Sequence, residues 1–210
     1  MVRTSSPQSP STPDKAEQLR SSCYVFVYLD GQPQAVPAGI LTIEGESGRE
    51  RASSFVYGDL YRARPNAISL DPVELPLPSR SGQVLRPREG NALFGAFRDA
   101  APDAWGRLVI NERYLSEVVA RGAAVKPLPT PNMFDLPEME YLLRARKDRV
   151  GALDFRLSPT DPEPIARVSQ DMHLEDLLDA ANRIARSEPA SQQVMTLLHP
   201  STGMGGARPK

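Results

Sequence analysis

The clearest chemical potential in this sequence lies at its far end, in Ser201-Thr202-Gly203-Met204-Gly205-Gly206-Ala207-Arg208-Pro209-Lys210. Glycine reaches positive φ without steric cost, so a glycine-rich loop lets backbone N–H groups converge on one anion. Arg208 and Lys210 add positive charge. The chemistry this suits is phosphate binding. The loop is not a Walker motif: G-x-x-x-x-G-K-[ST] does not match, and Pro209 removes one backbone donor. A solvated cationic tail is the other reading of the same residues. A working phosphate cradle needs a strand or helix after the loop, and carboxylates elsewhere to hold a metal. The expectation is therefore of a site that opens here and is completed elsewhere.

Other residues with chemical potential have structural readings beside the functional ones. His173 and His199 have no second His or Cys at ligand spacing, so surface histidines are expected, not a metal site. Asp99 and Asp103 fall near a helix start, where carboxylates favour the dipole; capping is preferred over a catalytic pair. Trp105 belongs to an apolar stripe and is expected in a core or interface. Arg144, Arg146, Lys147 and Arg149 form a basic cluster that could contact phosphate or nucleic acid. No aromatic residues interleave with it and Asp148 interrupts it, so a solvated turn is preferred. Cys23 opens an apolar run and is expected as a small buried hydrophobe, not a nucleophile.

The elements that must position these residues follow from composition and pattern. The 210 residues correspond to one domain, or one and part of a second. A chain of this length can bury roughly 70% of its unfolded surface. The net charge of −1, from 25 basic and 26 acidic residues, gives no global attraction to nucleic acid or an anionic membrane. One cysteine forms no intramolecular disulfide and suits a reducing cytosol. No run approaches the length of a spanning helix, and residues 1–20 lack the apolar segment of a secretory signal. That stretch is expected to be a disordered tail.

Cys23–Leu29, Ala38–Ile43 and Ala52–Tyr57 are predicted strands of an antiparallel meander. Prolines 65, 72, 76, 78 and 87 exclude long helices over 58–90, and Leu75-Pro76-Leu77-Pro78 is at most an edge or extended segment. Asn91–Phe97 is a predicted short helix. A longer one covers roughly 103–120, with Trp105, Leu108, Val109, Leu115 and Val119 at helical spacing and Arg121-Gly122 closing it. Glu138–Ala145 is another short helix and Val150–Phe155 a returning strand. Leu174, Leu177, Leu178, Ala181, Ile184 and Ala185 then repeat at helical spacing until Pro189.

Four segments, in order, resemble the HipA family, the Ser/Thr protein kinases that act as toxins of two-gene toxin–antitoxin systems. Ser54-Phe55-Val56-Tyr57, Asp59-Leu60-Tyr61, Ser69-Leu70-Asp71-Pro72 and Leu75-Pro76-Leu77 are similar to the family's N-terminal "F-x-Y … L … L-S … L-P-L" stretch. Leu93–Asp103 resembles its "F … F-x-D-x-L-P-D" helix junction. Arg146–Leu153 resembles "G-R-D-x-V-G-A-V/L". Gly205–Lys210 looks like the glycine-rich loop of the family's ATP site.

The resemblance implies an α+β fold: a small antiparallel sheet with helices, leading into an incomplete kinase-like N-lobe. It divides the chain into a disordered tail (1–22), a HipA N-terminal-type subdomain (23–158) and the start of a kinase core (159–210). Gly203, Met204, Gly205, Gly206, Ala207, Arg208 and Lys210 would cover ATP phosphates. ATP and Mg2+ would serve the full-length kinase, with neither binding tightly to this chain. The implied partners are the remaining kinase core, a HipB-like DNA-binding antitoxin and a protein substrate, in the cytoplasm, without membrane or direct nucleic-acid contact. The resemblance also turns the basic cluster into a fold-forming turn, and Asp99 and Asp103 into a helix junction.

The family's strand lysine, catalytic aspartate and metal-holding Asn and Asp find no matching positions, so no catalytic residue and no metal ligand is assigned. Gly203 stands where some members carry a phosphorylated loop serine; Ser201 and Thr202 are the nearest hydroxyls. Two functions follow. The chain is an N-terminal fragment of a HipA-like kinase, inactive alone. Alternatively it is a freestanding, non-catalytic module that docks onto or inhibits a separately encoded HipA-like core.

Overall fold

Alternating apolar residues in the first three predicted strands build the frame of this computed structural model, which describes residues 22–46, 49–122, 136–145, 151–163, 178–179, 182–183 and 186. The elements run β1 (Ser22–Val27), β2 (Val36–Glu46), β3 (Arg49–Tyr57), α1 (Asp59–Arg62), β4 (Val84–Leu85), α2 (Gly95–Ala100), α3 (Ala104–Ala120), α4 (Glu138–Arg144) and β5 (Leu153–Arg156). The fold is α+β, with a five-stranded sheet ordered β4-β3-β2-β1-β5. Every neighbouring pair is antiparallel. The predicted meander is therefore present as β1–β3, and the predicted returning strand closes the sheet on the far side of β1.

Side chains alternate across a strand, so two adjacent rows face opposite ways. Cys23 pairs with Leu41, Leu41 with Phe55, and Phe55 with Leu85; all four are buried. One residue along each strand, Tyr24, Ile40, Val56 and Val84 pair in the same succession on the other face. There Ile40 is 42% and Val84 53% exposed. The core sits against the first row. Phe55 meets Phe97 of α2 edge-on at 5.5 Å, and Phe97 meets Phe155 of β5 at 5.7 Å. Tyr57 stacks on Tyr61 of α1 at 5.7 Å. Cys23 is buried in this core, as its surroundings in the sequence predict.

The long helix begins and ends as its sequence signals require. The Asp103 carboxylate accepts from the Gly106 N–H at 2.8 Å, an N-cap. Gly122 closes it at φ 73°, with its N–H donating to the Val119 carbonyl. The buried face differs from the predicted stripe. Val109 is buried, but its buried companions are Gly106 and Ile110, while Trp105, Leu108 and Leu115 are half-buried and Val119 is exposed. The helix turns its Ile110–Tyr114 side toward α4, where Leu136, Tyr141 and Ala145 form a second cluster.

The predicted helix at Asn91–Phe97 is displaced to Gly95–Ala100. The cause is remote: the Glu74 carboxylate accepts from the Gly95 N–H at 2.7 Å and anchors the helix start there. Ala101 is extended before Pro102, as a residue preceding proline tends to be, and the helix stops. Leu75 makes an isolated antiparallel bridge with Asp71, so the Leu75–Pro78 segment is extended rather than a strand of the sheet. Five residues of the predicted C-terminal helix are described, and Arg186 among them is in a turn. Leu178, Asp179, Asn182 and Arg183 are helical, with Arg183 and Asp179 paired at 3.0 Å. The rest of that helix and residues 1–21 of the expected tail lie outside the described residues, while Ser22, the last residue given to that tail, opens β1 by pairing with Thr42.

Candidate functional site

Gly203, Met204, Gly205, Gly206, Ala207, Arg208 and Lys210 lie outside the described residues, as do His173, His199, Arg146, Lys147 and Arg149. Asp103 is a helix cap, the role the helix-junction reading gives it, and Asp99 is exposed on α2. Arg144 from the predicted basic cluster sits in a different setting: a junction of charged residues where α3, α4 and β5 meet.

Helical periodicity builds the first two sides. Arg107, Asn111 and Tyr114 recur on one face of α3, opposite Glu138, Tyr141 and Arg144 of α4. Arg107 Nη2 donates to both Glu138 carboxylate oxygens, at 2.7 and 2.9 Å, and its guanidinium lies 4.3 Å from the Tyr141 ring centroid. The Tyr141 hydroxyl donates to Asn111 Oδ1 at 2.9 Å. One turn further, Arg144 lies over the Tyr114 ring at 5.0 Å. It reaches Glu117 Oε2 through Nη1 and Glu140 Oε2 through Nε, both at 2.9 Å. Burial lowers the Arg144 pKa, but these two carboxylates more than offset it and hold the guanidinium in its charged form.

The third side comes from β5. Asp154 and Arg156 are two residues apart, so they share a face of the strand, and Arg156 Nε donates to Asp154 Oδ2 at 2.7 Å. Arg156 Nη1 donates to the Asp161 carbonyl at 3.0 Å, and the guanidinium packs 4.0 Å from the Phe26 centroid. Arg156 Nη2 is buried with no hydrogen-bond acceptor. The loop after β5 is fixed by its own bonds. Asp161 Oδ2 accepts from the Ser158 N–H at 2.9 Å, and Glu163 accepts from the Tyr28 hydroxyl at 2.6 Å.

Between these elements lies a cleft of about 450 Å3. Arg113, Arg144 and Arg156 line it together with Glu117 and Asp161, over apolar walls from Ile110, Leu143 and Phe155. Among the described residues its lining contains no hydroxyl, thiol or imidazole side chain. A smaller cavity of about 320 Å3 opens between the β2 end and α3, with Arg98, Arg107 and Glu138 among its lining residues. Among the described residues, no three His, Cys, Asp or Glu side chains gather in metal-binding geometry, and no helix is long and apolar enough to cross a membrane.

Two sequence signals foreshadow this junction. Arg113 and Glu117 stand four apart on a predicted helix, and Asp154-Phe155-Arg156 alternates charge, aromatic and charge on a predicted strand. Neither spacing reveals that they meet. No protein-family model, curated protein or solved structure matches the chain.

Proposed function

We propose that the chain is the N-terminal portion of a HipA-like Ser/Thr protein kinase of a toxin–antitoxin system. The observation that carries this reading is the meeting of the resemblance-bearing segments in one core. Phe55, Tyr57, Leu70 and Leu75 come from the first segment, and Phe94 and Phe97 from the second. They pack together, and Phe155 closes the group just after the third. Residues in these patterns therefore serve the fold, which is the role the resemblance gives the N-terminal subdomain. The kinase's substrate protein, its HipB-like antitoxin and a cytoplasmic location belong to the same proposal.

Phosphoryl transfer depends on positioning and charge neutralisation. In the proposed kinase the strand lysine, catalytic aspartate and metal-holding Asn and Asp follow the loop assigned to ATP phosphates, Gly203–Lys210. ATP and Mg2+ then belong to the longer kinase. Reading the coding frame beyond the Lys210 codon tests this directly. A frame that continues through those residues is the expected result; a continuation lacking all of them rejects the proposal. On its own the chain is expected to transfer no labelled phosphate from ATP to protein.

The freestanding docking module has its own support. In that arrangement the apolar stripe Leu174–Ala185 would be the docking surface; Leu178 from it is exposed, and so are Ile40 and Val84 on the outer face of the sheet. A stop after Lys210, followed by a second frame encoding a HipA-like core that co-purifies with this chain, would favour that arrangement.

A further inference from the structure

We propose that the amphipathic segment Leu174–Ala185 packs on the outer face of the sheet, over Tyr24, Ile40 and Val56. This inference is independent of the kinase reading and starts from the sheet. An antiparallel sheet that leaves one face to water carries polar residues there. One outer row does so: Ser22 pairs with Thr42, and Thr42 with Ser54. The next row, Tyr24, Ile40, Val56 and Val84, is apolar on all four strands, yet Ile40 is 42% and Val84 53% exposed. Such a row gains free energy from any apolar surface brought onto it.

The segment has the matching need. Leu174, Leu177, Leu178, Ala181, Ile184 and Ala185 recur at helical spacing. Leu178, Asp179, Asn182 and Arg183 are helical, and Leu178 is 57% exposed. Asp179 and Arg183 pair with each other on the helix and ask nothing of a neighbour. A helix of about twelve residues is marginal in water and takes its stability from covering an apolar face.

The path of the chain after β5 selects the outer face. Asp154 and Arg156 pair with Phe26 and Tyr24, and Arg156 packs 4.0 Å from the Phe26 centroid on that side. The chain then turns through Ser158–Asp161, and the Asp161 carbonyl accepts from Arg156 Nη1. Glu163 accepts from the Tyr28 hydroxyl at 2.6 Å. Tyr28 continues the outer alternation of Tyr24 and Phe26, between the core residues Val27 and Leu29. The backbone therefore leaves Glu163 on the outer side of β1. Residues 164–173 then connect it to Leu174. Fully extended they reach roughly 35 Å, more than the roughly 20 Å width of a five-stranded sheet. A segment on so short a linker meets the face at an effective concentration on the order of millimolar, which a second copy or a separate protein does not match.

The test uses the whole chain and reads both surfaces. Ile40→Cys places a thiol on the face, while the native Cys23 is buried. A thiol reagent should label this variant slowly, and adding Leu178→Glu should speed labelling roughly tenfold or more. Leu60→Cys, at a position 90% exposed on α1, should label equally fast with and without Leu178→Glu. Hydrogen exchange gives the reverse view. Amides of 174–185 should be protected in the parent, and Ile40→Glu should speed their exchange roughly tenfold or more, whereas Leu60→Glu leaves it unchanged. Should Ile40→Glu fail to fold, the labelling of the milder Ile40→Cys decides. Labelling unmoved by Leu178→Glu, unprotected amides over 174–185, or protection that survives Ile40→Glu would each overturn the proposal. Slow labelling that speeds up on dilution, with a dimer in sedimentation, would overturn it in favour of a second copy on the same face.

Discussion

The Tyr57 hydroxyl donates to the Leu75 carbonyl oxygen at 2.6 Å, joining the end of β3 to the proline-rich segment that follows it. The Tyr57 hydroxyl oxygen in turn accepts from the Leu70 N–H at 2.9 Å. One buried phenol thus satisfies two backbone groups of a stretch that forms no strand of the sheet. Leu75, fully buried, is held against the core by that contact.

Tyr57→Phe should destabilise the protein by about 1–3 kcal/mol, because the ring still fills its site while a buried carbonyl and amide lose their partner. Urea unfolding followed by circular dichroism measures this as a lower midpoint. An unchanged midpoint would mean that water replaces the hydroxyl and the tether is dispensable.

Gly39 and Gly58 should respond oppositely to alanine. A Cβ at Gly39 would collide with the Val56 carbonyl oxygen and lie 2.6 Å from Phe55 Cζ, both part of the packed β2–β3 pair. Gly39→Ala is expected to cost about 3 kcal/mol. Gly58 has φ −71° and ψ 142°, a conformation open to any residue, and the nearest atom to its added Cβ is the Ala38 carbonyl oxygen at 3.7 Å. Gly58→Ala should be neutral or stabilising by up to about 1 kcal/mol, through the unfolded chain's lost freedom. Thermal unfolding of the two variants side by side checks the contrast.

What was legible in the sequence was what local pattern encodes. Cys23–Leu29 and Ala52–Tyr57 carry the aromatic and β-branched residues of strands. Asp103 and Gly122 bracket α3 with a cap at each end, and all three features are present in the fold. What was not legible depended on distant partners. The start of α2 is set by Glu74, which no window around Gly95 contains. The buried face of α3 is set by α4, so the stripe through Trp105 and Leu115 overstated how deeply those residues sit. The cleft illustrates this most clearly. Arg113, Arg144 and Arg156 are each ordinary in their own segment, and only the sheet order that places β5 beside β1 brings them together.

Neighbouring residues of β2 should differ sharply in their importance. Leu41 is fully buried between Cys23 and Phe55, and Ile40 stands on the opposite face. Leu41→Ala should cost about 2–5 kcal/mol, with the spread set by how far the cavity collapses. Ile40→Thr keeps a β-branched residue on a half-exposed face and should fall within about 0.5 kcal/mol of the parent. Denaturant titration of both variants tests the assignment of the two sheet faces. Comparable losses would mean that the outer row is covered as firmly as the inner one.

Alkaline pH should destabilise the fold in a way that traces to tyrosines. Burial pushes the Tyr57 pKa up to about 12, only partly countered by the Leu70 N–H. Tyr28 shifts in the same direction, through burial first and then its bond to Glu163 and the nearby carboxylates. Tyr61 also rises through burial. The unfolded phenol ionises near pH 10, so above that value the unfolded chain binds fewer protons than the folded one. The contribution is fully present below about pH 10 and is lost as pH rises toward about 12. Unfolding free energy measured from about pH 8 to about pH 11 should therefore fall steadily at the alkaline end. Tyr57→Phe should start lower at neutral pH and decline less steeply, because one of the three late-ionising phenols is gone. Equal slopes for the parent and the variant would mean that Tyr57 ionises as readily folded as unfolded, and that its burial does not hold the proton.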